Sequence, residues 1–157
     1  MYIEKFWGNY IGGSDDSLNL LEYLADKDKA EISLAEIFAD LGLDKQEWDF
    51  RQSQELGFVT SDGLECEFYY AIDLIIDISA LLLECSKSGN VSPTELLGDA
   101  GRSISITWTD DEKVSMNEAL QDFVQNPMEY DLQEMMDEEE IQEMAQECEE
   151  LRKELFG

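Results

Sequence analysis

Histidine is absent from this chain of 157 residues. That absence excludes Ser-His-Asp and Cys-His catalysis, histidine-ligated zinc and haem, and a histidine pH switch. There are only two prolines and three cysteines. Cys66, Cys85 and Cys148 are odd in number and widely spaced. They form neither a disulfide framework nor a Cys-x-x-Cys pair, and they read as reduced thiols of a cytoplasmic protein. Positive charge is scarce, with 10 Lys+Arg against 38 Asp+Glu. Direct binding to nucleic acid needs clustered cations, and adhesion to an anionic membrane needs them too, so neither is expected. Long apolar runs are also missing. The longest, 71–83, is broken by Asp73, Asp77 and Ser79, and residues 1–13 lack the apolar stretch of a signal peptide.

What the chain does have is core-forming material and negative charge. Hydrophobic residues make up 43% and aromatics 10%, which separates it from disordered acidic tails. Its length fits one domain over residues 1–157, enough to bury about 68–70% of the unfolded surface. The net charge is −28, where a small soluble domain carries about 2–8 in magnitude. Self-repulsion of that size works against the compact state, so a chain that tolerates it plausibly uses the field. An acidic surface steers and holds a basic partner, raising association rates by about 10–10³-fold. Nucleic-acid-cleaving enzymes and DNA-binding proteins that accept a decoy are the two common kinds.

The pattern predicts an α+β fold, with a small antiparallel sheet packed among several helices. Residues 1–11 are aromatic and β-branched and read as a strand ended by Gly12-Gly13. Ser14 to Ser17 offer caps for a helix over 16–27 with Leu18, Leu21, Leu24 and Ala25 inward. Asp26 to Lys29 read as a solvated turn. Ser33 and Glu36 match a capping box, and Gly42 stops the short helix that follows. Residues 44–55 resist assignment. Residues 56–60 and 64–70 read as two strands around Ser61-Asp62-Gly63, with Leu64, Cys66, Phe68 and Tyr70 inward and Glu65, Glu67 and Tyr69 wet. An apolar helix over 71–86, a strand over 103–109, and a helix from Asp110 to about Gln125 follow. The last segment, 128–157, is an acidic amphipathic helix packed on the domain or extending from it. Ile141, Met144, Ala145, Cys148, Leu151 and Leu155 form its apolar stripe.

Few motifs carry chemistry. Asp73 and Asp77 share one side of an apolar helix at i,i+4, with Glu84 two turns on. Such a pair binds Mg²⁺ or shares a proton in a carboxylate enzyme, but the plainer reading places it on the helix's outward edge. Asp26-x-Asp28 fails as a calcium loop because Glu31 and Ile37 stand where Gly and Glu are needed. Gly12-Gly13-Ser14 matches no phosphate loop, and Asp15-Asp16 would repel phosphate. Trp7, Trp48 and Trp108 read as core, as do the methionines crowding the C-terminal third. No metal and no cofactor is expected, nor an enzyme.

The segments FWGNYIGGSDDSLNLLEYL, SLAEIFADLGLDK and GLECEFYYAIDLIIDISALLLEC resemble the small acidic immunity proteins of bacterial polymorphic-toxin and contact-dependent growth inhibition systems, over residues 4–97. The resemblance implies a cytoplasmic protein that binds one cognate toxin, blocking its active site or its access to substrate. Combined with the charge, it points to a basic toxin, a nuclease being the natural case. Candidate contacts are Asp15 and Asp16, then Glu65, Glu67 and Tyr69, then Trp108 with Asp110 and Asp111. The alternative is an acidic DNA mimic that inhibits a DNA-binding or restriction protein, with the 138–156 helix as its surface.

The charge excess has a measurable consequence. Salt at 0.15 M shortens the Debye length to about 8 Å, so raising NaCl from about 10 to 300 mM should raise the melting temperature of the free protein. A flat or falling melting temperature would show that like-charge repulsion is not a significant term.

Overall fold

The 71–88 stretch has no polar stripe: apolar side chains occupy every face, and only Asp73, Asp77, Ser79 and Glu84 interrupt them before Cys85. A helix of that composition has to be enclosed. In the computed structural model, which describes residues 1–157, helix α3 (Ala71–Ser88) is buried on all sides from Ala71 to Glu84. Gly89, at φ 89°, ends it in the left-handed region. The rest of the chain wraps around this axis.

Helix α1 (Asp15–Lys27) is capped by Ser14, whose Oγ accepts the Ser17 amide. Its inward residues are Leu20, Leu21, Tyr23 and Leu24. Leu18 is turned to solvent, against the expected periodicity. Strand β1 (Glu31–Ser33) leads into helix α2 (Leu34–Leu41), capped by Ser33 and stopped by Gly42. Strands β2 (Gly57–Val59) and β3 (Glu65–Glu67) form the expected antiparallel hairpin. A short α4 (Pro93–Leu96) precedes β4 (Ser105–Thr107). Helix α5 (Asp110–Gln125) begins with a Thr109/Glu112 capping box. Helix α6 (Glu138–Phe156) lies against α3 and α5. It buries Ile141, Met144, Ala145, Cys148 and Leu151, so it packs on the core rather than extending from it. The buried hydrophobic side chains form one contiguous cluster.

Three expectations are corrected. Residues 1–11 are not a strand: Tyr2–Lys5 is a 3₁₀ turn, followed by a loop in which the Gly8 amide meets the Ile11 carbonyl at 2.7 Å. Ile3 of that turn and Phe6 and Ile11 of the loop are core side chains, and their spacing is not that of a strand. The sheet is not one antiparallel unit. β1 and β4 pair in parallel, separately from the hairpin. Ile32 is the only buried side chain of β1, so the strand gives almost no period-2 signal. At the hairpin tip Leu64 is exposed although its parity points it inward, because the strands outrun the core there. The tryptophans are half-buried, and Met135 is exposed while Met116 and Met144 are core.

The unassigned 44–55 segment is held by a buried amide. Gln46 donates to the Asp49 and Gln52 carbonyls at 2.9 and 2.7 Å and accepts from the Gln54 amide at 2.8 Å. Arg51 then forks onto Asp122 of α5 through Nε and a terminal nitrogen at 2.9 and 2.7 Å. This pins the loop to the helix, with Tyr130 donating to the same carboxylate.

Candidate partner-binding face

Burying α3 places three carboxylates in the interior, and each one holds the N-terminal segment. Asp73 and Asp77 are 3% and 0% exposed, so they are not on an outward edge. Ser14 Oγ donates to Asp73 at 2.7 Å, and Ser17 Oγ donates to Asp77 at 2.6 Å. The Gly12 amide donates to the other Asp77 oxygen at 2.9 Å. Higher on α3, Glu84 accepts the Ile3 amide at 2.8 Å and the Ser88 hydroxyl. The donors are hydroxyls and amides, and no cation is among them. Asp73 and Asp77 are thus anchors for residues 1–17 rather than a free carboxylate pair. No group of three Cys, Asp or Glu side chains stands where it would hold a metal ion.

Asp16 is corrected in the same way. It is 2% exposed and is not a surface contact. Its carboxylate accepts the Tyr69 amide at 3.1 and 3.0 Å and the Tyr70 amide at 3.1 Å. Tyr70 is the N-cap of α3 and has no side-chain cap of its own. Asp16 therefore ties the residues that lead into α3 to the start of α1, while the first amide of α3, Ala71, is accepted by Ser53 Oγ at 2.8 Å. At the other end of α1, Asp26 accepts the Ser61 amide at 3.0 Å and its hydroxyl at 2.7 Å. The β2–β3 hairpin is thereby fastened along α1 at both of its ends.

The remaining predicted residues fall into two groups. Asp15, Glu65, Glu67 and Tyr69 are exposed on the α1–hairpin side. Asp15, Tyr69, Tyr70 and Met135 ring a cavity of about 240 Å³ floored by Ser14, Asp16 and Asp73. Trp108, Asp110 and Asp111 lie elsewhere, at the start of α5. There Trp108 packs on Phe156 of α6 with ring centroids 5.9 Å apart. Lys113 sits over the Trp108 ring and 3.8 Å from Asp110, so that group is partly neutralised.

The α1–hairpin side is poor in cations, Lys27 in the last turn of α1 being the exception. Residues 15–26 and 57–70 hold not one Lys or Arg. The lysines and arginines nearest in sequence are engaged with other acids: Lys27 with Glu36 and Asp40, and Arg51 with Asp122. Large apolar groups are exposed on the same elements: Leu18 (49%) on α1, and Val59 (63%), Leu64 (64%) and Tyr69 (67%) on and beside the hairpin. The sequence reading missed Leu18, Val59 and Leu64. Strand parity had the signal for Val59, since placing Phe58 inward turns Val59 out. Leu18 had none, because it fits the helical stripe as well as Leu20 does.

Burial sets the titration of the anchors. Desolvation pushes the Asp73 carboxyl up to about 6, with its Ser14 hydrogen bond acting in the opposite direction. It pushes Asp77 upward too, helped by Asp73 and opposed by Ser17 and Gly12, and it raises Asp16. A raised carboxyl binds more protons folded than unfolded between about pH 4 and 6, so stability falls as pH rises through that window and returns on acidification. Glu36, Asp122, Glu149 and Glu154 are lowered by their cationic partners and lose stability only beneath the usual carboxylate range. Relief of surface repulsion acts in the same direction as the anchors, and Asp77→Asn separates the two. An asparagine accepts from Gly12 and donates to Ser17 Oγ, whose proton can turn to Ser14 Oγ 3.0 Å away. Urea unfolding should find Asp77→Asn more stable than the natural protein near pH 7.5, with a flatter pH profile above the usual carboxylate range. Asp77→Ala, which orphans the Gly12 amide, should lose about 1–3 kcal/mol. Parallel pH profiles for Asp77→Asn and the natural protein would contradict this account.

No helix is long and apolar enough to cross a membrane. No curated protein and no solved structure matches the chain. One family model does, over residues 2–155, and its description is immunity protein 68. That span includes the α3 anchors, the residues they hold and the whole α1–hairpin side, and the chain accordingly belongs to the immunity protein 68 family.

Proposed function

We propose that this immunity protein neutralises a cognate toxin by binding it, that the bound domain is basic, as a nuclease would be, and that the contact surface is the side formed by α1 and the β2–β3 hairpin. The observation that carries the reading is the coincidence on these two elements of exposed carboxylates, no Lys or Arg over residues 15–26 and 57–70, and four exposed apolar side chains. Charge and apolar area divide the work. Asp15, Glu65 and Glu67 steer the encounter and set the association rate. Tyr69, Leu18, Val59 and Leu64 lose water on contact and set the lifetime, as buried aromatic and aliphatic anchors do. The cavity beside Tyr69 offers a seat for a partner side chain. The protein acts by occupying the toxin, in the cytoplasm, where Cys66, Cys85 and Cys148 stay reduced, and not by chemistry on it.

The DNA-mimic reading would use α6, and the structure favours it less. Three of that helix's carboxylates are taken up within the chain: Glu143 by the Tyr10 hydroxyl at 2.7 Å, Glu154 by Lys5 at 3.0 Å, and Glu149 by Arg152 at 2.7 Å.

Stopped-flow binding to the toxin domain encoded beside the gene tests the proposal. Association should slow by about tenfold or more as NaCl rises from about 10 to 300 mM, while dissociation changes less. Asp15→Lys and Glu65→Lys should slow association. Tyr69→Ala should speed dissociation by about 10–30-fold, the factor for roughly 1.4–2 kcal/mol. Asp110→Lys and Asp111→Lys should leave both rates near those of the natural protein. Normal rates for the first three variants, with losses only at α5 or α6, would overturn the assignment of the surface.

A further inference from the structure

The hairpin's hydrogen bonds define an edge with nothing on it. The Phe68 amide meets the Leu56 carbonyl at 2.9 Å, and the Thr60 amide meets the Leu64 carbonyl at 2.8 Å. Pairs 56/68 and 60/64 are therefore hydrogen-bonded pairs, and so is Phe58/Cys66 midway between them. The intervening pairs, Gly57/Glu67 and Val59/Glu65, do not bond across the hairpin. It follows that the amides and carbonyls of Glu65 and Glu67 point away from β2. They find no partner elsewhere in the chain, and the sheet ends at β3 with no third strand. The β2 side differs, since α2 packs beside it.

Natural proteins protect such an edge because it templates pairing with another chain. Here the protection is selective. The side chains of Glu65 and Glu67 stand on the outer face of the edge strand, both exposed. A second copy of this chain pairing there would bring Glu against Glu, within two molecules of net charge −28 each, and like charges directly opposite destabilise a sheet. A strand with Lys or Arg at alternate positions would place its cations beside Glu65 and Glu67. An open depression of about 590 Å³ follows the hairpin, and Asp40, Glu55, Glu65 and Glu67 contribute to its lining with no Lys or Arg. Opposite Glu67 stands Gly57, where a Cβ would come within 2.4 Å of the Cys66 carbonyl oxygen.

Resting on the toxin-binding reading, we propose that the toxin is held by strand addition: an extended segment with Lys or Arg at alternate positions pairs its backbone with the free edge of β3 at Glu65 and Glu67. Main-chain hydrogen bonds supply affinity in this mode, and the alternate side chains supply specificity. The acidic edge thus refuses a second copy of itself and accepts a basic strand.

The probe is the toxin domain encoded beside the gene, mixed with the full-length protein. Hydrogen exchange should find the Glu65 and Glu67 amides fast in the free protein and protected in the complex. Glu67→Gln keeps the outward amide and removes the charge; Glu67→Pro removes both, at an edge position where proline costs no ladder bond. Glu67→Gln should weaken binding by a few-fold, from loss of one cross-strand charge pair. Glu67→Pro should weaken it by about a further tenfold. Circular dichroism checks that each variant is folded, and the exchange experiment on the natural protein stands without them. A tight complex in which both amides exchange as fast as in the free protein overturns strand addition and leaves toxin binding intact. No complex with the natural protein overturns both.

Discussion

The fold depends on putting carboxylates where water cannot reach them and supplying each with uncharged donors. Asp73, Asp77 and Glu84 interrupt an otherwise apolar helix, and the helix is buried anyway. Leaving a carboxylate unpaired there would cost several kcal/mol. The chain meets this by wrapping its first seventeen residues over α3, so that the Ile3 and Gly12 amides and the Ser14 and Ser17 hydroxyls fall on those oxygens. The same contacts set where α1 starts, and the start of α1 sets where Asp16 sits. Asp16 in turn holds the Tyr69 and Tyr70 amides, which fixes the hairpin and the entrance to α3. A protein with almost no cations to spare has used hydroxyls and amides for work that arginine does elsewhere.

This arrangement divides the acidic residues into two populations. One is inward and hydrogen-bonded, and within it desolvation pushes Asp16, Asp73 and Asp77 toward neutrality, which limits the charge the core has to carry. The other is outward and spread over the surface, on α5 and α6 as well as on the side of α1 and the hairpin, where residues 15–26 and 57–70 hold no lysine or arginine. The few cations stand with acids of their own, Lys27 at the end of α1 and Arg51, Arg102 and Arg152 elsewhere. The field on the α1–hairpin side is therefore less compensated than the overall composition requires. The proposed function gives that field a use, the steering of a toxin onto this side.

Much of this was legible in the residues, in proportion to how local the physics is. Helix starts at Ser14, Ser33 and Thr109 were readable because a cap is a short-range hydrogen bond. The hairpin was readable from its turn and its alternation, and α6 from its stripe. The first eleven residues misled because Ile3, Phe6 and Ile11 earn their burial from α3, far off in sequence, and not from a strand partner. β1 was invisible because a three-residue strand with one buried side chain has no period. Asp73 and Asp77 invited an outward placement by the ordinary rule that carboxylates face water; their donors lie about sixty residues upstream, at positions that look like a simple turn. Asp16 and Asp15 are neighbours of one chemistry and opposite fates, and only the position of the Tyr69 amide distinguishes them.

Carboxyl footprinting tests the division of the acids most directly. Carbodiimide-activated labelling, read by mass spectrometry, should modify Asp15, Glu65 and Glu67 in the free protein and leave Asp16, Asp73, Asp77 and Glu84 unlabelled. In the complex with the toxin, labelling of Asp15, Glu65 and Glu67 should fall while that of the exposed α6 acids persists. Ready labelling of the α3 acids in the free folded protein would contradict the anchoring account. Protection confined to Glu138–Glu154 in the complex would contradict the assignment of the binding face.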